Sequence, residues 1–162
     1  MNKEWAENYL ASFATKDLVV DTLWADDEKF QTENPITGEV HYGKEIYREG
    51  FTPYANDDPD NGVGIHKFTL VEFFSGPNPA VYRWRWDCTG AKSFLGLPTN
   101  GKDIVTTGVN TDWFDEDGKV IREVAYFDFL TPSIETGNLG YAVRDPLLAG
   151  GRLDDEETSA TA

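Results

Sequence analysis

Cysteine occurs once in this sequence, at position 88, so no internal disulfide framework is available. That usage suits a reducing compartment, and a cytoplasmic location is the expectation. His41 and His66 are the only histidines. Neither has a Cys or acidic cluster at ligand spacing, and the chain carries no zinc motif, G-x-G-x-x-G, P-loop or nucleophile elbow. No metal and no cofactor is therefore expected. Basic residues are scarce, 14 Lys and Arg against 29 Asp and Glu, for a net charge of −15. Phosphates attract basic faces, so neither nucleic acid nor membrane is an expected partner. No apolar run approaches the roughly 20 residues that cross a bilayer. The opening MNKEWAEN lacks the basic and apolar regions of a signal peptide, so no leader is expected.

What is present suits one folded domain. The 162 residues are 40% hydrophobic, enough for a full core. Residues 1–148 read as the domain, and 149–162 (AGGRLDDEETSATA) as a frayed acidic tail. Five Trp and ten Phe exceed the needs of a minimal core. They either line a pocket for a flat apolar ligand or fill the concave side of a curved sheet.

Taken in order, Lys3 to Thr15 is a predicted helix, with Trp5, Tyr9 and Phe13 at four-residue spacing on one stripe. Asp17 can cap a second short helix ending near Trp24. Phe30 to Glu33 is a strand stopped at Asn34-Pro35. A third helix runs from Lys44 to Phe51, and a polar loop from Thr52 to Gly64. Strands are predicted over Ile65 to Phe74 and Ala80 to Cys88. The loop Thr89 to Gly101 carries Phe94-Leu95-Gly96-Leu97, apolar residues that need cover from a pocket, a ligand or a second subunit. Ile104 to Phe114, the turn Asp115-Glu116-Asp117-Gly118, and Lys119 to Leu130 form a long hairpin. Three helices and an early strand followed by four long strands imply an α+β fold.

Three stretches carry a resemblance to the nuclear transport factor 2-like superfamily, in its polyketide cyclase-like branch. They are Y-L-A-S-F-A-T-K-D from Tyr9 to Asp17, FQTENPITGEVHYGKEIYREGF from Phe30 to Phe51, and the G-x-P-x-x-G-K … F-x-x-D-G-K-I … D pattern from Gly96 to Asp128. The resemblance implies a curved mixed or antiparallel sheet, a cone or α+β barrel around an apolar pocket, closed by three N-terminal helices. It also implies a homodimer paired through the outer sheet face, where Trp84 and Trp86 would fit.

Candidate chemistry follows residue by residue. Alternation in Val81 to Asp87 puts Arg83, Arg85 and Asp87 on one face, with Tyr82, Trp84 and Trp86 on the other. If the ionic face lines the cone, Arg85 and Asp87 resemble the Arg-x-Asp pair of limonene epoxide hydrolases; the alternative is a charged outer face with both Trp buried. In that comparison the second acid falls at Ala125, so a full epoxide-hydrolase triad is not expected. Glu123, one step along the same face, could replace it. Compared with ketosteroid isomerases, Tyr9 matches the helical Tyr, Asn34 the general base and Asn110 the oxyanion acid. Asn cannot shuttle a proton, but Tyr9, Asn34 and Asn110 could donate hydrogen bonds to an enolate oxygen. Trp24, Phe51, Tyr54, Arg83, Phe94, Asp112 and Phe127 are candidate substrate contacts. Asp128 matches the family's terminal Asp in a structural role, and Cys88 is expected to be inert. The expected function is cofactor-independent acid–base chemistry on a hydrophobic aromatic small molecule: isomerisation, cyclisation, dehydration or retro-aldol cleavage, with Asp87 carrying the proton. An epoxide hydrolase and a non-catalytic binding protein are the alternatives.

Overall fold

The computed structural model describes residues 1–15, 17–33, 38–54 and 64–139. Helix α1 (Lys3–Ser12) begins at Asn2, whose side chain accepts the Trp5 amide at 2.9 Å. Ala6, Tyr9, Leu10 and the following Phe13 are buried, so the aromatic spacing turns one helix face onto the sheet. The helix stops short of Thr15 because the Ser12 and Thr15 hydroxyls bond back to the carbonyls of Tyr9 and Ser12, at 2.6 and 2.8 Å. The second predicted helix is a 3-10 turn, Val19–Leu23. Asp17 does not cap it. Leu18 enters at φ 46°, in left-handed backbone, where a helix N-cap normally takes extended angles.

Six strands form one mixed sheet in the order β2-β1-β8-β7-β4-β3. They are β1 (Gln31–Glu33), β2 (Val40–Tyr42), β3 (Ile65–Ser75), β4 (Ala80–Thr89), β7 (Ile104–Phe114) and β8 (Val120–Phe127). β1 runs parallel to β8, and every other pairing is antiparallel. The β7–β8 turn uses Gly118 at φ 76°. There Asp115 accepts the amides of Asp117 and Lys119 at 3.0 and 2.9 Å, as its turn chemistry predicts.

The α+β class stands, but two parts of the expected architecture are corrected. The sheet is open, and neither a cone nor a barrel forms. Closure requires every strand to be bonded on both sides. β2, three residues long, ends one edge and the eleven-residue β3 the other, and the two do not pair. The helices are not all N-terminal either. Only α1 precedes the sheet; α2 (Glu45–Phe51) lies between β2 and β3, and α3 (Leu130–Glu135) follows β8. Asp128 leads into α3, its carboxylate accepting the amides of Leu130 and Thr131, each at 3.0 Å.

The orientation of β4 also differs from the preferred expectation. Tyr82, Trp84 and Trp86 point inward with 0%, 5% and 4% exposure, whereas Arg83, Arg85 and Asp87 point away from the core. Burying three aromatic rings releases far more free energy than burying two guanidinium groups, whose desolvation is costly. The ionic face is thus the outer one, and Trp84 and Trp86 are not on a surface that could pair with a second subunit. The inner side is an aromatic layer: Trp24 stacks on Phe30 at 5.2 Å, Phe13 meets Phe51 at 4.7 Å and Phe68 stacks on Trp86 at 4.7 Å. Phe94 and Leu97 need no external cover. They sit in a small hairpin of β5 (Ser93–Phe94) and β6 (Leu97–Pro98), almost fully buried, with the Phe94 ring 4.7 Å from Trp86.

Candidate active site

The centre of the sheet supplies the acids. Along β7, Thr106, Gly108, Asn110, Asp112 and Phe114 alternate inward. On β8 a register shift opposite Trp113 and Phe114 lets Val120 and Glu123, three residues apart, both face the core. Counted from Val120, strict alternation would have turned Glu123 outward; the shift restores it to the inner face with Ala125 and Phe127. The result is that Asp112 and Glu123 are cross-strand partners, 0% and 2% exposed. Two buried carboxyls thus share one interior.

Aromatic hydroxyls and indoles from three directions complete the cluster. From α1, the Tyr9 hydroxyl donates to Glu123 Oε2 at 2.5 Å, and Trp24 Nε1 donates to the Tyr9 oxygen at 2.8 Å. From β4, the Tyr82 hydroxyl donates to Asp112 Oδ2, and Trp84 Nε1 donates to Asn110 Oδ1 at 2.7 Å. From α2, the Tyr47 hydroxyl acts on Glu123. Asp112 Oδ1 is left over: among the described residues it is the one buried side-chain nitrogen or oxygen without a hydrogen-bond partner.

Burial governs the electrostatics. Desolvation, reinforced by the facing Glu123 charge, raises the Asp112 pKa well above the usual carboxyl range. Desolvation raises Glu123 as well, but Tyr9, Tyr47 and Asn110 stabilise its charged form and pull it back. The phenols of Tyr9, Tyr47 and Tyr82 are pushed well above their usual value by burial and by the neighbouring acids, so they remain neutral donors. The pair therefore gives up its protons at higher pH than two exposed carboxyls would, with Asp112 the more strongly raised of the two.

The sequence candidates divide cleanly. Tyr9, Asn110, Glu123, Asp112 and Trp24 meet in this cluster. Asn34 lies outside the described residues. Arg85 and Asp87 pair with each other on the outer face, Arg85 Nε lying 2.9 Å from both Asp87 oxygens, and Arg83 reaches Glu72 at 3.4 Å. Phe51 packs on Phe13, and Tyr54 lies tilted against His66 at 4.4 Å, towards the other end of the core. Phe94 belongs to the β5–β6 hairpin. Phe127, 44% exposed, lies 6.4 Å from Trp84 at the open end of the inner face. Ala125 faces inward opposite Asn110, beside Glu123. Tyr47 and Tyr82 were not among the candidates, although both lie on apolar stripes that pattern alone could have flagged.

A second buried polar pair joins His66 to Cys88. Trp86 Nε1 donates to His66 Nδ1 at 2.9 Å, which leaves the proton of the neutral imidazole on Nε2, 3.7 Å from Cys88 Sγ. Such a ring cannot act as base towards the thiol, and burial pushes Cys88 up to about 11. No group of three His, Cys, Asp or Glu side chains that could hold a metal occurs among the described residues, and no described helix is long and apolar enough to cross a membrane.

A helix laid across a mixed sheet whose central strands carry inward acids is the nuclear transport factor 2-like architecture. The profile of the SnoaL-like polyketide cyclases matches residues 5–133, and this chain belongs to that family. A search of curated proteins found no match. Solved structures with the same fold include TsrD from Streptomyces laurentii, 17% identical, with a TM-score of 0.64 over 86% of this chain and 99% of that one. A Shewanella putrefaciens protein provisionally classed as a SnoaL-like polyketide cyclase is 16% identical, with a TM-score of 0.65 over 85% and 87% of the two chains. AclR from Streptomyces galilaeus, provisionally described as a hydroxylase, is 14% identical, with a TM-score of 0.66 over 85% and 81%. At these identities the likeness establishes the fold.

Proposed function

We propose that this protein is a cofactor-independent acid–base enzyme, a lyase or isomerase in type, acting beside a carbonyl group of an apolar aromatic or polycyclic molecule. Isomerisation, cyclisation, dehydration and retro-aldol cleavage share one requirement: a proton leaves one atom while another is delivered to an oxygen or carbon nearby. Asp112 and Glu123 meet that requirement from one interior. The Trp24 indole can only donate, so the Tyr9 proton is committed to Glu123 Oε2, which favours the charged form of that carboxyl and makes Glu123 the base. Asp112, the more strongly raised of the two, is the acid. Asn110 offers its amide to developing oxyanion charge, and membership of the cyclase family agrees with this class of chemistry.

The observation that carries the reading is the unpartnered Asp112 Oδ1. A fully buried carboxyl oxygen without a partner costs stability, and a substrate oxygen would satisfy it. The test is hydrogen–deuterium exchange at the α-carbon of apolar aryl ketones such as 1-indanone and α-tetralone, followed by proton NMR. Enzyme-dependent exchange that is lost in Asp112→Asn and in Glu123→Gln supports the proposal. Saturable ketone binding without exchange would leave a binding protein instead. Exchange retained in both variants would remove the dyad from the chemistry.

A further inference from the structure

Trp84 sits opposite Gly108 across the β4–β7 ladder, yet its indole bonds to Asn110, two residues further along β7. The ring must therefore lie across the Gly108 backbone. A Cβ at position 108 would meet Trp84 Cζ2 at 2.2 Å and Cη2 at 2.6 Å, so no side chain larger than hydrogen fits beneath the ring. An indole N–H donates and never accepts. The amide atom it meets at 2.7 Å is accordingly the Asn110 oxygen, and the Asn110 NH2 must occupy the opposite side of the amide plane. That side is where the carboxyls lie, since Asn110 and Asp112 share the inner face of β7 and Glu123 pairs with Asp112.

We infer that Trp84, seated on Gly108, is a positioning residue that locks the Asn110 amide with its NH2 directed at the Asp112–Glu123 pair. The inference rests on the acid–base reading of that pair and names the device that keeps it in one hydrogen-bonded state. Without the indole, the Asn110 carbonyl oxygen loses its donor, and only the facing carboxyls still hold the amide orientation. In the flipped one, a carbonyl oxygen would face two carboxyls and repel the ionised one.

The groups facing the pair are known from each element packed on it: Tyr9 from α1, Tyr47 from α2 and Tyr82 from β4. All three are neutral phenols that donate, so the amide orientation is the variable that Trp84 controls. Asn110 lowers both carboxyl pKa values, and releasing it should raise them.

The experiment follows the Asp and Glu side-chain carboxyl carbons by NMR against pH. It uses the wild-type protein, Trp84→Phe, Asn110→Leu and the double variant. Trp84→Phe keeps an aromatic ring on β4 and removes the donor together with the outer indole atoms that lie over Gly108, an effect the Asn110→Leu background separates from loss of the hydrogen bond. The expected result is an upward shift of the buried titration by about one pH unit in Trp84→Phe, as for a lost hydrogen bond to a charged group. No further shift should occur when Trp84→Phe is added to Asn110→Leu. An unshifted titration, or the same shift in both backgrounds, overturns the inference. A wild-type protein with no elevated carboxyl titration sinks the acid–base reading itself, and the two failures are thereby separated. Should Trp84→Phe not fold, the Trp84 indole 1H–15N resonance of the wild-type protein decides. It should move with the carboxyl titration through the Asn110 amide, and a pH-invariant resonance refutes the coupling.

Discussion

Asp112 on β7 and Glu123 on β8 face one another directly across the ladder, both sealed from solvent. Like charges in that position destabilise a sheet. The arrangement persists because Tyr9, Tyr82, Tyr47 and Asn110 surround it with donors and because burial favours the protonated form of both carboxyls. What would be a fault in a purely structural sheet is a store of exchangeable protons in an enzyme.

Activity should depend on each acid separately. Asp112→Asn and Glu123→Gln each keep volume and polarity while removing the exchangeable proton. Ketone exchange should fall by about 10²–10⁴-fold in each, the usual range for a general acid or base. Ligand affinity, measured by calorimetry, should change little. A drop in affinity with turnover per bound ligand preserved would mean binding without acid–base work.

Stability should fall as pH rises. In the folded protein both carboxyls release their protons above the ordinary carboxyl range, whereas in the unfolded chain they do so at about pH 4. Over that interval the native state holds more protons than the unfolded one, so their contribution is greatest below the unfolded pKa. It is lost as pH rises through the folded values. Thermal midpoints of the wild type should therefore decline from about pH 4 upward, and Asp112→Asn should show a flatter curve. Parallel curves for the two proteins would remove Asp112 as the source.

Tyr9→Phe strips a committed donor from Glu123 Oε2 and orphans the Trp24 indole. Loss of stability by about 1–3 kcal/mol is expected for a buried group left unpaired. Urea titration checks it, and the Glu123 titration should move upward in the same variant.

The outer pair behaves differently. Arg85 and Asp87 are exposed and bond to one another, away from the acids. Asp87→Asn should leave both the thermal midpoint and ketone exchange at the wild-type level. A large loss of exchange would return the chemistry to the outer face.

Cys88 should resist alkylation. Its thiol is buried, raised to about 11, and faces the proton-bearing side of His66. Iodoacetamide at pH 8 should label the urea-unfolded protein and spare the native one. Rapid native labelling would mean that the His66 tautomer is reversed.

Much of the fold was legible because its signals are local. The stripe of Tyr9 and Phe13 requires a helix face, and Asp115 to Gly118 requires a tight turn. The β7 range Ile104–Phe114 follows from its β-branched and aromatic run. Tyr9, Asn110, Asp112 and Glu123 could be nominated from alternation and family resemblance, one residue at a time. Their assembly could not. Alternation says only that Arg85 and Trp84 face opposite ways, and a period of two is indifferent to which of them is inside. That sign was decided when α1 and its aromatic neighbours covered one face of the sheet, taking Tyr82, Trp84 and Trp86 inward and leaving Arg85 and Asp87 out. The irregularity between β7 and β8 then set the register that pairs Glu123 with the inward Asp112 instead of the outward Thr111. A single unpaired residue in a strand reverses every side chain beyond it, and nothing in the local sequence announces where the partner strand will require one.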